Sequence, residues 1–76
     1  MKELLEFLAQ ELVDDPDAVR VTETKDDRGV VLTLSVDPND MGKVIGRAGR
    51  TAKAIRTVVR AAATRQGLSA RVDIVD

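Results

Sequence analysis

The sequence predicts an α+β fold of order αββααβ, in which a mixed three-stranded sheet carries three helices on one face. Three observations lead to it. Residues 30–36 alternate, with Val30, Leu32, Leu34 and Val36 set against Val31, Thr33 and Ser35. A long alanine-rich helical run follows a four-residue glycine turn. A last alternating stretch, with Ala70, Val72 and Ile74 on one side, then closes the chain. A strand, two helices and a strand form a crossover, which lays its two strands parallel, while a hairpin supplies an antiparallel neighbour.

Each element has a local reason. Leu4, Leu5, Leu8 and Leu12 have the spacing of a helix that buries one face, with Glu3, Glu6, Gln10 and Glu11 left to water, so a helix is expected over 2–13. Asp14-Asp15-Pro16-Asp17 stops it, because proline disfavours helical geometry in the residue before it. Val19 and Val21 alternate with Arg20 and Thr22, giving a strand over 18–24. Lys25 to Gly29 reads as a turn, and a strand over 30–36 completes the hairpin. Asp37 and Asn39, around Pro38, are N-cap candidates for a short helix over 39–45. The loop 46–49 leads into a helix over 50–66, which Gly67 ends, and the last strand spans 70–75. In the long helix, Ala52, Ile55, Val58, Val59 and Ala62 share one side, and Arg50, Lys53, Arg56, Thr57 and Arg60 the other.

At 76 residues the chain reads as one domain near the lower size limit, expected to bury only about 60% of its unfolded surface, with little room for a catalytic cleft. The absence of Cys and His removes disulfides, a thiolate nucleophile, the usual zinc ligands and the usual general base. The expectation is therefore no enzyme, no metal and no cofactor. Glu3 and Glu6 break any signal-peptide apolar region, and no run approaches a membrane span; a reducing cytoplasm is the expected location, with no membrane partner.

The net charge of −1 conceals an asymmetry. Residues 1–40 hold 11 acidic and 4 basic side chains, residues 41–76 hold 8 basic and 2 acidic, and no acid lies between Lys43 and Val72. In that basic half, Gly46-Arg47-Ala48-Gly49 follows the apolar pair Val44-Ile45 and is flanked by Lys43, Arg50, Lys53, Arg56 and Arg60. Two glycines let the backbone bend and approach a ligand, and the following helix aims free N–H groups and the positive end of its dipole at whatever docks there. A phosphate chain suits such a corner. The plainer readings are a tight helix connection for the glycines and an ordinary solvated surface for the cations. A Walker A loop is ruled out, since no Lys-Ser/Thr pair follows the second glycine.

Val44-Ile45-Gly46-Arg47-Ala48-Gly49 resembles the (I/V)-I-G-x-x-G signature of KH domains, and the αββααβ order is similar to their type II arrangement. The likeness covers the whole chain. Together with Asp40 to Gly46 and the run Ala52 to Val59, it resembles the small stand-alone bacterial KH proteins of the KhpA type. The resemblance implies that about four nucleotides of single-stranded RNA, or of single-stranded DNA, lie with their backbone against the G-x-x-G loop. It assigns RNA contacts to Lys43, Val44, Ile45, Gly46, Arg47, Ala48, Gly49, Arg50, Lys53 and Arg56, with Val44 and Ile45 as an apolar floor for the bases. It also implies a post-transcriptional regulator or RNA chaperone of low sequence selectivity, linked to cell elongation and division. The alternative it carries is an assembly module, a homodimer or a heterodimer with a KH protein of the KhpB (Jag) type. With Phe7 as the only aromatic residue, base stacking worth about 1–3 kcal/mol per base is missing, so binding by one copy is expected to be weak and salt-sensitive.

Overall fold

A computed structural model describes residues 1–75. The elements are α1 (Lys2–Leu12), β1 (Arg20–Asp26), β2 (Gly29–Ser35), α2 (Met41–Ile45), α3 (Arg50–Arg65) and β3 (Ala70–Val75). Short 3-10 turns stand at Pro16–Ala18, Pro38–Asp40 and Arg47–Gly49. The sheet order is β1-β2-β3, with β1 antiparallel and β3 parallel to the central strand. Three helices and a mixed three-stranded sheet thus make the α+β fold that the alternation and the crossover imply.

The register places Val21 opposite Leu34, and Leu32 opposite Val72. One face of β2, with Val30, Leu32 and Leu34, therefore meets Leu5 and Ala9 of α1, Val44 of α2, and Ile55 and Val59 of α3 in a single core. Each fully buried Leu or Val there contributes about 1.5–3 kcal/mol relative to exposure. The opposite face of β2, with Val31, Thr33 and Ser35, stays half exposed.

Several boundaries differ from the sequence expectation for local reasons. The first helix ends at Leu12, and Val13 is already extended ahead of Asp14-Asp15-Pro16. The first strand starts at Arg20 rather than at residue 18, because Pro16 seeds a 3-10 turn closed by the Val19 N–H donating to Pro16 O at 3.2 Å. It also runs on to Asp26. Asp26 Oδ1 accepts the N–H groups of Arg28 and Gly29 at 2.8 and 3.0 Å, so the hairpin closes over Asp27 and Arg28 instead of over five residues. The segment 39–45 divides into the Pro38–Asp40 turn, opened by Asp37 Oδ1 accepting the Asn39 N–H, and the one-turn α2.

The buried stripes differ too. In α1 the fully buried residues are Leu5 and Ala9, with Leu12 exposed. In α3 they are Ala52, Ile55, Val59 and Ala63, at spacings of three, four and four, so Val58 falls outside the stripe and is 44% exposed. Val58 and Phe7 open instead into a groove between α1 and α3.

Candidate nucleic-acid interface

The corner is built from the backbone upward. The last bond of α2 runs from the Gly46 N–H to Gly42 O at 2.9 Å, after which Gly46 takes φ 78°, ψ 174°, a conformation open essentially to glycine alone. A Cβ built on Gly46 would fall on Thr51 Oγ1, and within 2.7 Å of Thr51 Cβ. The first glycine therefore makes room for the protein's own helix α3, not for a ligand. Gly49, at φ 74° and ψ 13°, has nothing within 4 Å of such a Cβ, so its bare side faces open space.

Between them, Ala48 sits in the left-handed region at φ 57°, ψ 26°, the one non-glycine residue with positive φ among the described residues. This costs of order 1–2 kcal/mol. The Gly49 and Arg50 N–H groups turn back onto Gly46 O and Arg47 O. The N–H groups of Arg47 and Ala48 have no protein acceptor among the described residues, and both residues are exposed. The free amides of this corner are thus fewer than the motif suggests, and they lie at its tip.

The predicted site residues separate into groups. Arg47, Ala48, Gly49, Arg50 and Lys53 share the solvent side of the turn and the first turns of α3. Ile45 is half-buried, whereas Val44 is fully buried in the core, so its side chain cannot act as a floor for bases. Arg56 is half-buried and its Nε donates to Val72 O at 3.1 Å, tying α3 to the edge strand β3 rather than projecting with the other cations. Lys43 is already engaged: its Nζ lies 3.2 Å from Asp14 Oδ2 and 3.8 Å from Asp40 Oδ1. Hydrogen bonding to Asp14, then the charge of Asp14, raise its pKa above the usual 10.5. Because the folded value is raised, Lys43 is fully charged at neutral pH, and the stability the pair adds is lost as pH climbs through that value.

The free positive charge near the corner therefore comes from Arg47, Arg50 and Lys53, with Arg60 further along, none of which has an ion-pair partner among the described residues. No acid occupies the first turn of α3, and Arg50 adds a cation where the helix dipole is already positive. That is unfavourable by about 0.3–1 kcal/mol in the isolated protein, and an anion docking there reverses the sign.

Sequence reasoning missed three participants. Thr51 shapes the turn by filling the space beside Gly46. Asp14, 29 positions from Lys43, is brought to it only by the fold. Asp40, 3% exposed, accepts the Asp15 N–H at 3.1 Å and anchors that loop; its spacing of three from Lys43 was the one readable signal.

The sequence model of the family described as KhpA/KhpB, KH domain, matches residues 2–74, nearly the whole chain and every element of the corner. The chain belongs to this KH-domain family. It is not a family of enzymes, and its type II KH order is the fold described above. The RNA-binding protein KhpA of Halalkalibacterium halodurans is 58% identical over 76 residues, covering all of both chains. That of Clostridium acetobutylicum is 52% identical over 75 residues, 99% of this chain and all of the relative. That of Streptomyces coelicolor is 51% identical over 76 residues, all of this chain and 92% of the relative. Among solved structures, Aquifex aeolicus Era bound to GDP and aluminium fluoride superposes with a TM-score of 0.64 at 19% identity. The match covers 96% of this chain and 28% of that one, a likeness of fold alone.

Proposed function

We propose that this chain binds short single-stranded RNA, laying the sugar-phosphate backbone across Arg47, Ala48 and Gly49 and along Arg50 and Lys53 at the start of α3. The observation that carries the reading is the tip of the turn: two exposed residues whose N–H groups have no acceptor among the described residues, beside an acid-free helix start with three cations that have no ion-pair partner there. The name RNA-binding protein carried by the KhpA relatives supports the same ligand. Contacts from backbone amides and cations to phosphate position a strand without reading its bases, so selectivity is low and single-stranded DNA is an alternative ligand. The work implied is that of a cytoplasmic post-transcriptional regulator or RNA chaperone, in a process such as cell elongation or division.

A second reading has its own observation. A groove of about 300 Å³ between α1 and α3 is lined almost wholly by apolar surface from Phe7, Leu8, Leu12, Ala54, Ile55 and Val58. Phe7 is 57% exposed, and Val58 44%. Burying such half-exposed side chains against a partner stabilises by about 1 kcal/mol each. The proposed occupant is a second copy, groove on groove about a two-fold axis, or the KH domain of a KhpB (Jag) type protein.

Solution mass by light scattering, with and without a six-nucleotide RNA, tests both. The expected result is a dimer that takes up RNA, and a Phe7→Gln, Val58→Gln variant that is monomeric yet still takes up RNA. A wild-type chain that never takes up RNA contradicts the first reading; a variant that stays dimeric contradicts the second.

A further inference from the structure

Lys43 stands three residues before Gly46, beside the corner where the RNA strand is proposed to cross, yet its ammonium is taken by Asp14 Oδ2 at 3.2 Å. The contact is held in place by a built arrangement. Asp40, buried to 3% exposure at the entry to α2, accepts the Asp15 N–H through Oδ2 at 3.1 Å and approaches Lys43 Nζ through Oδ1 at 3.8 Å. The main chain beside Asp14 is thereby pinned to the start of α2, and the Asp14 carboxylate is presented to Lys43. The core does not need that carboxylate. Its side chain is 81% exposed, and the loop is held by the Asp40 bond to the Asp15 N–H and by Val13 packed on the core. An exposed Lys–Asp pair adds about 0–1 kcal/mol to stability, so the contact is easily exchanged for another anion.

We infer that Asp14 is an internal competitor of the RNA backbone: it occupies Lys43 in the free protein, and a phosphate reaching Lys43 must displace it. The inference rests on the RNA-binding reading. Carboxylate and phosphodiester are alternative partners for one ammonium, each carrying one negative charge, so the ion pair formed with RNA replaces one already made. The net gain from Lys43 is then small, and the exchange limits how tightly one copy can hold RNA. Removing the Asp14 charge leaves Lys43 to Asp40, whose Oδ1 is farther away and whose Oδ2 is engaged by the Asp15 amide, so the ammonium is freed towards the strand.

The test is a titration of a labelled six-nucleotide RNA at several salt concentrations, with circular dichroism to verify that each variant keeps its fold. Asp14→Asn is isosteric and exposed. It is expected to tighten binding about three- to tenfold at low salt and to steepen the dependence of log affinity on log salt by about 0.7, the increment for one more neutralised phosphate on a single strand. Asp15→Asn removes the same charge one residue away and is expected to give less than half that gain. In a Lys43→Met background the effect of Asp14→Asn is expected to vanish. Unchanged or weaker binding by Asp14→Asn overturns the inference. So does an equal gain in the Asp15→Asn variant, or a gain that survives Lys43→Met, since either makes Asp14 only a repelling charge. The wild-type titration separates the two levels: no binding there removes the RNA reading, whereas binding that Asp14→Asn fails to tighten removes only the competitor.

Discussion

Replacing Arg47 and Ala48 together by aspartate is expected to weaken RNA binding at least about a hundredfold while leaving the fold intact. Both residues are exposed and neither contributes to the core. The left-handed conformation at position 48 is one that aspartate tolerates better than alanine. The substitution removes one cation and places two anions where phosphates are proposed to lie. Losing a charge-assisted bond costs about 1.5–3 kcal/mol, and each new repulsion at about 4 Å in water adds about 1 kcal/mol. The sum is about 3.5–5 kcal/mol, between two and four decades of affinity. Titration of a labelled RNA checks the affinity and a thermal melt checks the fold. Undiminished retention by a folded variant would place the site elsewhere.

The two glycines of the turn are expected to separate into a structural and a binding position. Gly46→Ala forces a Cβ onto Thr51 Oγ1, 2.7 Å from Thr51 Cβ and 2.8 Å from its backbone nitrogen, at a φ of 78° and ψ of 174°. The backbone conformation costs about 1–3 kcal/mol and the forced contact about as much again. The expected loss of about 3–5 kcal/mol is a large part of the roughly 4–11 kcal/mol available to a domain of this length. The melting temperature falls by more than about 12 °C. Gly49→Ala meets nothing within 4 Å and carries only the left-handed penalty, of order 1–2 kcal/mol, while its new methyl stands on the side offered to RNA. It is expected to lose more binding than stability. Equal melting temperatures for the two variants would show that Thr51 yields freely and that Gly46 is not the structural position.

The fold was legible where a single periodicity decides the burial of a side chain. Val30, Leu32 and Leu34 alternate in the sequence and lie on one buried face. Legibility failed where two elements share a side chain's surroundings. Val58 satisfies the helical stripe as well as Ala63 does, but the fold buries Ala63 and leaves Val58 in a groove beside α1. The hairpin boundaries turned on hydrogen bonds of Asp26, and the start of β1 on a turn begun by Pro16, both of which override strand preference locally.

In the candidate site, the turn and its cations were visible as a motif and an acid-free run. What each atom faces was not. Val44 continues the apolar pair before the glycines yet turns into the core. Arg56 continues the cationic spacing yet spends its Nε on Val72 O. Lys43 loses its freedom to an aspartate 29 positions away, a contact that charge counting along the chain assigns to the opposite, acidic half.

The tip of the turn is the place where a phosphate is proposed to dock. Backbone amide NMR of the wild-type protein during titration with a six-nucleotide RNA tests this most directly. The largest shifts are expected at the N–H groups of Arg47 and Ala48, with smaller ones through Lys53, and little change at Thr22, Thr33 and Asp73 on the sheet's far face. Shifts confined to that face, with Arg47 and Ala48 unmoved, would contradict it.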